Sequence, residues 1–254
     1  MAVWLRTWPP MFDHVTLRAS DRAASERFYD TVLGTLRIGR TSTGETYTEW
    51  GDFTLAQATD ERPVTRRLHI GFVAPSREDA GTFWRAGTEA GHADDGPPGP
   101  RPEYGPDYYG AFLLDPDGNS AEAVHHGSLR AGGTIDHLWV RVADVDASAR
   151  FYTTIAPYAG FEPIPRAPDR VQLKGPSGSF SVLTAERPTE HAHVAFPAPD
   201  DATVAAFHRA AVGAGYRDEG APGERPEYHA GYHAAFVLDP DGNNVELVVH
   251  HRRG

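Results

Sequence analysis

The sequence predicts an α+β fold made of four strand-helix-strands units, arranged as two similar halves. An internal repeat supports this fold, because residues 101–127 and 225–251 are identical at 16 of 27 positions. Agreement of this extent indicates duplication. A second observation is polar-apolar alternation followed by a capped amphipathic segment, which occurs at the start of each half and again near its middle. The third is a turn motif, Asp-Pro-Asp-Gly, that precedes the last strand of each half.

The first unit of each half opens with an alternating strand, His14 to Arg18 and His137 to Arg141. A capping residue then starts a helix with Phe-Tyr at its centre, Ser20 or Asp21 in the first half and Asp144 in the second. Short β-prone runs broken by Gly and Pro follow at 38–57 and 171–185, and they predict antiparallel strands joined by hairpin turns.

The second unit of each half repeats this order. The runs "LHIGFVA" and "HVAFPA" predict strands, Ser76 and Asp200 cap the helices that follow, and a C-terminal Gly closes each helix. Asp115 to Gly118 and Asp239 to Gly242 predict turns between adjacent antiparallel strands, because Pro presets one turn dihedral and Gly accepts a positive φ.

Two long Pro/Gly-rich stretches, 93–110 and 216–234, carry tyrosines and predict loops that act as lids over a site. The repeat predicts a first domain at 1–127, a linker at 128–133 and a second domain at 134–254.

Composition narrows the class of protein. A net charge of -11 without a Lys/Arg cluster argues against nucleic acid as a partner. No apolar run is long enough to span a membrane, and the N-terminus lacks the pattern of a secretory signal, so we expect no membrane association and a cytoplasmic protein. The absence of cysteine leaves His, Asp and Glu as the only strong metal ligands. We expect a small-molecule substrate and a monomer or homodimer.

Three residue types recur at equivalent positions of the two halves. Each histidine lies at the start of a predicted strand, and each glutamate follows the Asp-Pro-Asp-Gly turn. Two imidazoles and one carboxylate are the protein part of a facial triad, which binds a divalent ion and leaves positions open for substrate. An inward carboxylate among apolar neighbours also needs a cation, a proton or a partner. The candidate metal ligands are His14, His69 and Glu122 in the first half, and His137, His193 and Glu246 in the second.

The segments "DHV", "RFY", "HVAF" and "DPDGN" followed by Glu, in this order over residues 12–251, resemble the vicinal-oxygen-chelate superfamily, which includes glyoxalase I, bleomycin-binding proteins, fosfomycin-resistance proteins and extradiol dioxygenases. The resemblance implies βαβββ units paired into a cupped mixed β-sheet per domain, with helices outside and a divalent metal, Fe(II), Mn, Ni or Zn, at the base. It implies one site at His14, His69 and Glu122 and another at His137, His193 and Glu246. Units of this superfamily pair within a domain or across domains, and a swapped pairing groups His14 with the second half's pair.

The sequence departs from each enzyme type of this superfamily. The fourth glutamate ligand of glyoxalase I corresponds to Gln57 and Thr184 here. The proton-transfer His and Tyr of extradiol dioxygenases correspond to Glu227 and Phe236. Fosfomycin-type transferases need lysines, and the predicted lids contain none.

The two predicted lids differ at two positions, where Gly105 and Tyr109 of the first half become His229 and His233 of the second. A histidine transfers protons at neutral pH, so His229 and His233 are candidate catalytic residues and the C-terminal site is the better candidate for catalysis. The alternative interpretation is that both histidines are exposed loop residues without a catalytic role. Tyr232 is the third candidate catalytic residue, and it and its equivalent Tyr108 either hydrogen-bond an oxygen of a bound ligand or pack at the sheet edge.

These observations predict a divalent-metal enzyme in which the metal acts as a Lewis acid on a small substrate with adjacent oxygens. A dioxygenase-type reaction is narrowly preferred because the triad is open, and a glyoxalase-type isomerase or lyase is the alternative. A drug-binding protein without catalysis is a further alternative, for which Trp84, Trp139 and the two tyrosines argue. A structural protein with vestigial sites is the last.

Overall fold

The computed structural model describes residues 10–129, 132–175 and 178–251. Its helices are α1 (Arg22–Thr35), α2 (Arg77–Glu89), α3 (Val145–Ala159) and α4 (Asp201–Gly213). Its strands in the first half are β1 (His14–Ala19), β2 (Ser42–Thr43), β3 (Tyr47–Trp50), β4 (Phe53–Gln57), β5 (His69–Val73), β6 (Asp94–Pro100), β7 (Tyr109–Leu114) and β8 (Ser120–His125). Its strands in the second half are β9 (Ile135–Val142), β10 (Glu162–Ala167), β11 (Arg170–Gly175), β12 (Gly178–Thr184), β13 (His193–Pro197), β14 (Asp218–Glu224), β15 (Tyr232–Leu238) and β16 (Asn244–His250).

These elements form four βαβββ units in chain order. Unit 1 runs from β1 to β4, unit 2 from β5 to β8, unit 3 from β9 to β12 and unit 4 from β13 to β16. The predicted α+β fold of two similar cupped sheets with four helices is therefore confirmed.

Helix starts follow from local side-chain chemistry. Asp21, Ser76, Asp144 and Asp200 occupy the N-cap positions, and each side chain accepts a hydrogen bond from a backbone N–H of the first turn. Such a cap satisfies an N–H group that has no partner inside the helix. The predicted caps are confirmed, and Asp21 rather than Ser20 caps α1.

The Asp-Pro-Asp-Gly turns also form as predicted. Gly118 and Gly242 have φ of 81° and 86°, and their N–H groups donate to Asp115 O and Asp239 O, each at 3.0 Å. A positive φ costs little only for glycine. The turns join β7 to β8 and β15 to β16, so each places a glutamate at a fixed position on the last strand.

Each sheet combines one unit from each half of the chain. The first sheet has the order β14-β15-β16-β13-β1-β4-β3-β2 and contains units 1 and 4. The second has the order β10-β11-β12-β9-β5-β8-β7-β6 and contains units 2 and 3. The seams are antiparallel, between β1 and β13 and between β5 and β9. The swapped pairing left open by the sequence is the one observed.

The connection between units 1 and 2 contacts the connection between units 3 and 4, and these contacts support the pairing of units across the two halves. Arg66 and Glu190 form an antiparallel bridge, and Thr65 Oγ1 donates to His191 O at 2.9 Å. The aromatic core also crosses between the halves, since Phe12 lies 6.0 Å from both Phe180 and Phe196 between ring centroids. Helix α1 packs against α2, and α3 packs against α4.

The Pro/Gly-rich stretches predicted as lids are only partly loops. Their first parts form β6 and β14, and β10, which carries two prolines, was not predicted as a separate strand. All three strands lie at sheet edges. An edge strand pairs on one side only, so a proline without an N–H group can be accommodated there, and register shifts accompany each pairing.

The predicted linker 128–133 includes Arg130 and Ala131, which lie outside the described residues, as do residues 1–9 of the N-terminal segment examined for a secretory signal. Within the described residues, no helix is long and apolar enough to cross a membrane.

Candidate metal centres

The first sheet brings together two histidines and a glutamate at its seam. His14 lies at the start of β1, His193 at the start of β13 and Glu246 on β16, where β13 pairs with both neighbouring strands. His14 Nε2 lies 3.1 Å from His193 Nε2, and Glu246 Oε2 lies 2.9 Å from His193 Nε2 and 3.6 Å from His14 Nε2. We call the concave face of this sheet the first cup.

The second sheet repeats the arrangement with its own three residues. His69 Nε2 lies 3.0 Å from Glu122 Oε2 and 3.3 Å from His137 Nε2, and His137 Nε2 lies 3.3 Å from the same carboxylate oxygen. All three side chains are buried. We call the concave face of this sheet the second cup.

The grouping of ligands by chain halves is therefore wrong. His14 does not join His69 and Glu122, and His137 does not join His193. His14 and His137, which belong to the first unit of each half, are exchanged between the two sites. The reason is the sheet topology, in which β1 lies beside β13 and β9 beside β5.

Hydrogen bonds fix the protonation of the ring nitrogens in the second cup. His137 Nδ1 lies 3.0 Å from Asp136 Oδ2, a carboxylate that only accepts, so Nδ1 carries the proton. The Ser120 hydroxyl donates to Asp95 and therefore accepts from His69 Nδ1, at 3.0 Å. In the neutral form of each histidine, Nε2 therefore presents a lone pair to the other imidazole and to the Glu122 carboxylate.

In the first cup, a hydrogen bond fixes the protonated ring nitrogen of one histidine only, His14. His14 Nδ1 lies 2.9 Å from Asp13 Oδ1 and presents its Nε2 lone pair to the site. No described residue hydrogen-bonds His193 Nδ1, which is buried, and Asn244 takes the place that Ser120 has in the second cup.

Three converging lone pairs repel one another unless a proton or a cation lies between them. Nitrogen and oxygen ligands at about 2.0–2.2 Å from one ion lie about 3 Å apart when they occupy adjacent positions. The ligand separations in both cups, 2.9 to 3.6 Å, have this size. The donor sets therefore fit a divalent ion bound by two imidazoles and one carboxylate.

The pKa values of the ligands in the absence of an ion reflect the same crowding. Burial lowers the pKa of His193 to about 4, because Glu246 offsets the lost solvation only in part. Burial also disfavours charge on His137, but hydrogen bonds to Asp136 and Glu122 outweigh it and raise its pKa to about 9. Burial opposes ionisation of Glu122, yet its histidine partners lower its pKa to about 2. One proton shared by the triad thus occupies the position of a cation.

A tyrosine holds the ligand carboxylate in each cup. Tyr232 Oη donates to Glu246 Oε1 at 2.6 Å, and Tyr108 Oη donates to Glu122 Oε1 at 2.8 Å. This contact leaves the other carboxylate oxygen directed at the histidines. Burial beside the carboxylate raises the pKa of both phenols well above the usual range, so they remain donors at neutral pH. The two tyrosines neither pack passively at the sheet edge nor stand free.

The structure separates the two lid histidines. His229 Nε2 lies 3.0 Å from His250 Nδ1, and His250 Nε2 lies 2.9 Å from Asp13 Oδ2, so His229 is at the outer end of a chain that reaches His14. His233 points to the opposite face, towards Asp201 on α4. A catalytic role for His233 has no support in this placement.

Residues outside the predicted set complete both sites. Asp13 and Asp136 bind the candidate ligand histidines that follow them. His250 contacts the other carboxylate oxygen of Asp13, whereas His126 contacts the same Asp136 oxygen as His137. The carboxylate fixes the histidine tautomer and ring orientation. The "DH" pair at the start of each half was the sequence signal for this contact.

Gln57, Thr184 and Phe236 are positions at which the sequence departs from known enzymes. The Gln57 amide donates to Ala19 O and Ser20 O at a strand end, and Thr184 is exposed. Phe236 lies 6.3 Å from His193 between ring centroids. Trp84 donates to Asp94 on the outer side, whereas Trp139 lies in the second cup, 5.0 Å from His69 between ring centroids.

A family model described as Glyoxalase/Bleomycin resistance protein/Dioxygenase superfamily matches the chain twice, at residues 11–123 and 134–247. Glyoxalase I from Zea mays is similar in structure, with 16% identity over 94% of this chain and 92% of that chain and a TM-score of 0.65. A dioxygenase candidate from Bacillus subtilis is also similar, with 16% identity over 95% of this chain and 85% of that chain and a TM-score of 0.63. These likenesses establish the shared fold. No curated protein matches the sequence significantly.

Proposed function

Because the chain belongs to the glyoxalase, bleomycin resistance protein and dioxygenase superfamily, we propose that it is a divalent-metal enzyme whose substrate is a small molecule with two adjacent oxygens. The two cups are its proposed active sites. A cytoplasmic location and a monomeric or homodimeric state remain predictions from the sequence.

The observation that carries this proposal is the convergence of two imidazole lone pairs and a carboxylate in each cup. In the second cup, Asp136 and Ser120 both fix the ring tautomers so that the Nε2 atoms face inward. This arrangement is costly unless a proton or a cation lies between the three groups, and well-packed apolar residues would meet the needs of the fold without polar atoms to satisfy.

The bound metal would act as a Lewis acid that polarises the two oxygens of the substrate. His14, His193 and Glu246 would hold it in the first cup, and His69, Glu122 and His137 in the second. Tyr232 and Tyr108 orient the carboxylates by donating to Glu246 Oε1 and Glu122 Oε1. In the first cup, the chain from His14 through Asp13 and His250 to His229 provides a path for a proton between the buried site and solvent.

We propose a dioxygenase-type reaction, narrowly preferred to glyoxalase-type isomerisation. Among the described residues, each triad holds three ligand groups and no fourth carboxylate, which suits a site that must leave positions open. Isomerisation requires a base close to the metal. Glu49 on β3 is a candidate for this base, since its charge acts on His14, and Gln172 has the equivalent place in the second cup.

The test is metal analysis of protein purified without chelator, together with variants of each cup. The native chain is expected to hold two equivalents of one transition metal. His193→Ala or Glu246→Ala should remove the metal of the first cup, and His69→Ala or Glu122→Ala that of the second. Absence of metal, or retention of both equivalents by all variants, would sink the enzyme proposal.

The metal that is found directs the choice of reaction. With Fe(II), oxygen uptake in the presence of catechols is the expected outcome for the dioxygenase. Ni, Zn or Mn without oxygen uptake would favour isomerase or lyase chemistry. Metal-loaded protein that binds aromatic ligands without converting them would favour the drug-binding alternative.

A further inference from the structure

The wall of the second cup carries a group of positive charges near the proposed metal site. Side chains of β11 alternate, so Arg170, Gln172 and Lys174 share a face, and Val171 and Leu173 point to the core. Contacts identify the shared face as the concave one, because Arg170 Nη2 donates to Ser181 Oγ at 3.1 Å and Gln172 Nε2 donates to Ser179 Oγ at 2.9 Å. Ser181 and Ser179 are register partners of Trp139 and the ligand His137.

Arg170 is held at a defined place relative to the metal ligands. Its Cζ lies 5.0 Å from the centroid of the Trp139 ring, and this ring lies 5.0 Å from the ring of His69. The indole therefore contacts both the guanidinium and the candidate ligand His69. Arg166 extends the positive wall from β10, where its Nε donates to Gln172 Oε1 at 2.8 Å.

The Arg170 guanidinium has no anionic partner among the described residues. Its contacts are the Ser181 hydroxyl and the indole, and neither neutralises its charge. Arg141 on the same face also contacts a neutral acceptor, since its Nη1 donates to Arg67 O at 2.7 Å, but its register position is filled by an arginine in both cups. A half-buried guanidinium bound to a neutral hydroxyl retains donors for a carboxylate.

The equivalent wall of the first cup has a different character. The strand registers place Tyr47 where the second cup has Arg170, Glu49 where it has Gln172, and Thr16 where it has Trp139. Both cups keep an arginine on the first strand, Arg18 or Arg141. On these strands the first cup therefore presents Glu49, whereas the second presents Arg170 and Lys174, with Glu162 opposite Lys174 on β10, in a chain whose net charge is -11.

We propose that the second cup takes a substrate that carries a carboxylate in addition to its two metal-directed oxygens, and that Arg170 binds this carboxylate. The inference rests on the proposed metal-dependent function, since the metal anchors the other end of the molecule. The first cup lacks this residue and does not select for the anionic group.

The test compares two probes that differ by one carboxylate, catechol and 3,4-dihydroxybenzoate. Co(II) is loaded under argon into Glu246→Ala, which keeps only the second cup, and into Glu122→Ala, which keeps only the first. Binding is followed by the visible absorption of cobalt. In the second cup we expect at least about tenfold tighter binding of 3,4-dihydroxybenzoate, as for one charge-assisted contact, and in the first cup a ratio near one.

Arg170→Gln in the second-cup background is expected to bring this ratio within about threefold of one and to leave catechol affinity within about twofold. Arg101→Gln is the matched control, because Arg101 also lies over an aromatic ring, Phe112, but its Nη2 already donates to Pro97 O at 2.8 Å. The control is expected to keep the preference. With Arg170 intact, raising the salt concentration should also weaken the preference, which tests charge recognition without any change at the wall.

Cobalt binding without a preference for the charged probe overturns the inference and leaves the metal proposal intact. An equal loss in Arg170→Gln and Arg101→Gln, or a preference unaffected by salt, also overturns it. Failure of cobalt to enter either background contradicts the proposed function itself.

Discussion

The two cups have matching triads and different side chains on the strands that form their walls, β3 and β11. Units 2 and 4 contribute matching residues to the two sites, a histidine, a glutamate and a tyrosine that holds the glutamate. Units 1 and 3 each contribute a histidine bound to the aspartate before it. Their β3 and β11 strands differ, with Glu49 in one cup and Arg170 beside Gln172 in the other. The comparison indicates that the two triads stayed alike after duplication, whereas the β3 and β11 strands beside them diverged.

The two triads also differ in how tightly their side chains are packed. In the second cup, a Cβ on Gly71 would overlap the His137 ring, and one on Gly110 would overlap the Glu122 carboxylate. The equivalent positions of the first cup are Ala195 and Ala234. Accordingly, the His137 side chain is 11% exposed and that of His14 is 21% exposed. The second site is the more rigid, and it depends on glycine.

The largest expected effect comes from Gly71→Ala. The new methyl group displaces the His137 ring, and a ligand shift of this kind lowers metal affinity by about 100-fold or more. Zinc titration by calorimetry should then find one strong site instead of two. Ala195→Gly is the matched change in the first cup and should alter affinity by less than about threefold. Two undiminished sites in Gly71→Ala would contradict the packing difference.

Asp13 and Asp136 test a feature that the two cups share, an aspartate that binds the histidine after it. Asp136→Asn removes the carboxylate that fixes His137 and is expected to lower metal affinity of the second cup by about 10- to 100-fold. Asp13→Asn should do the same to the first cup only. Equilibrium competition with a chelator measures both. An effect of either variant on the other cup would mean that the two sites are coupled.

The pH dependence of metal binding sharpens the difference between ligands of one site. His137 must lose its proton to bind a metal, and its pKa is raised to about 9, because Asp136 and Glu122 outweigh the effect of burial. Protons therefore compete below pH 9, and the affinity of the second cup should fall about tenfold per pH unit between 9 and 7. Metal titrations of Glu246→Ala at several pH values measure this. A flat profile would show that His137 is neutral in this range.

The smallest effect on metal binding is expected from His229→Gly, which gives the first cup the glycine found at position 105. His229 contacts His250 and not a ligand, so metal affinity should change by less than about threefold. If His229 transfers protons, turnover in the first cup should fall and exogenous imidazole should restore part of it. Unchanged turnover at all pH values would assign His229 to the surface.

Much of the fold was predictable because its signals are local. The caps at Asp21 and Asp200 satisfy helix N–H groups within one turn, and the Asp-Pro-Asp-Gly dihedrals depend on four adjacent residues. The edge strands β6, β10 and β14 were not predictable, because proline is tolerated there only by virtue of their position in the sheet. The wall residue Arg170 was missed for the same reason, since its contact with Trp139 joins strands that are separated by β12.

The sequence by itself determined the duplication, the four units and the six candidate ligand residues, since each candidate is fixed by its place on its own strand. Only the tertiary structure decided which ligands meet. The first strand of every unit carries a histidine at or near its start, so pairing within a half and pairing across halves both yield two histidines and one glutamate. The choice depends on long-range contacts, the crossed connections at Arg66 and Glu190 and the core around Phe12, which no local pattern encodes.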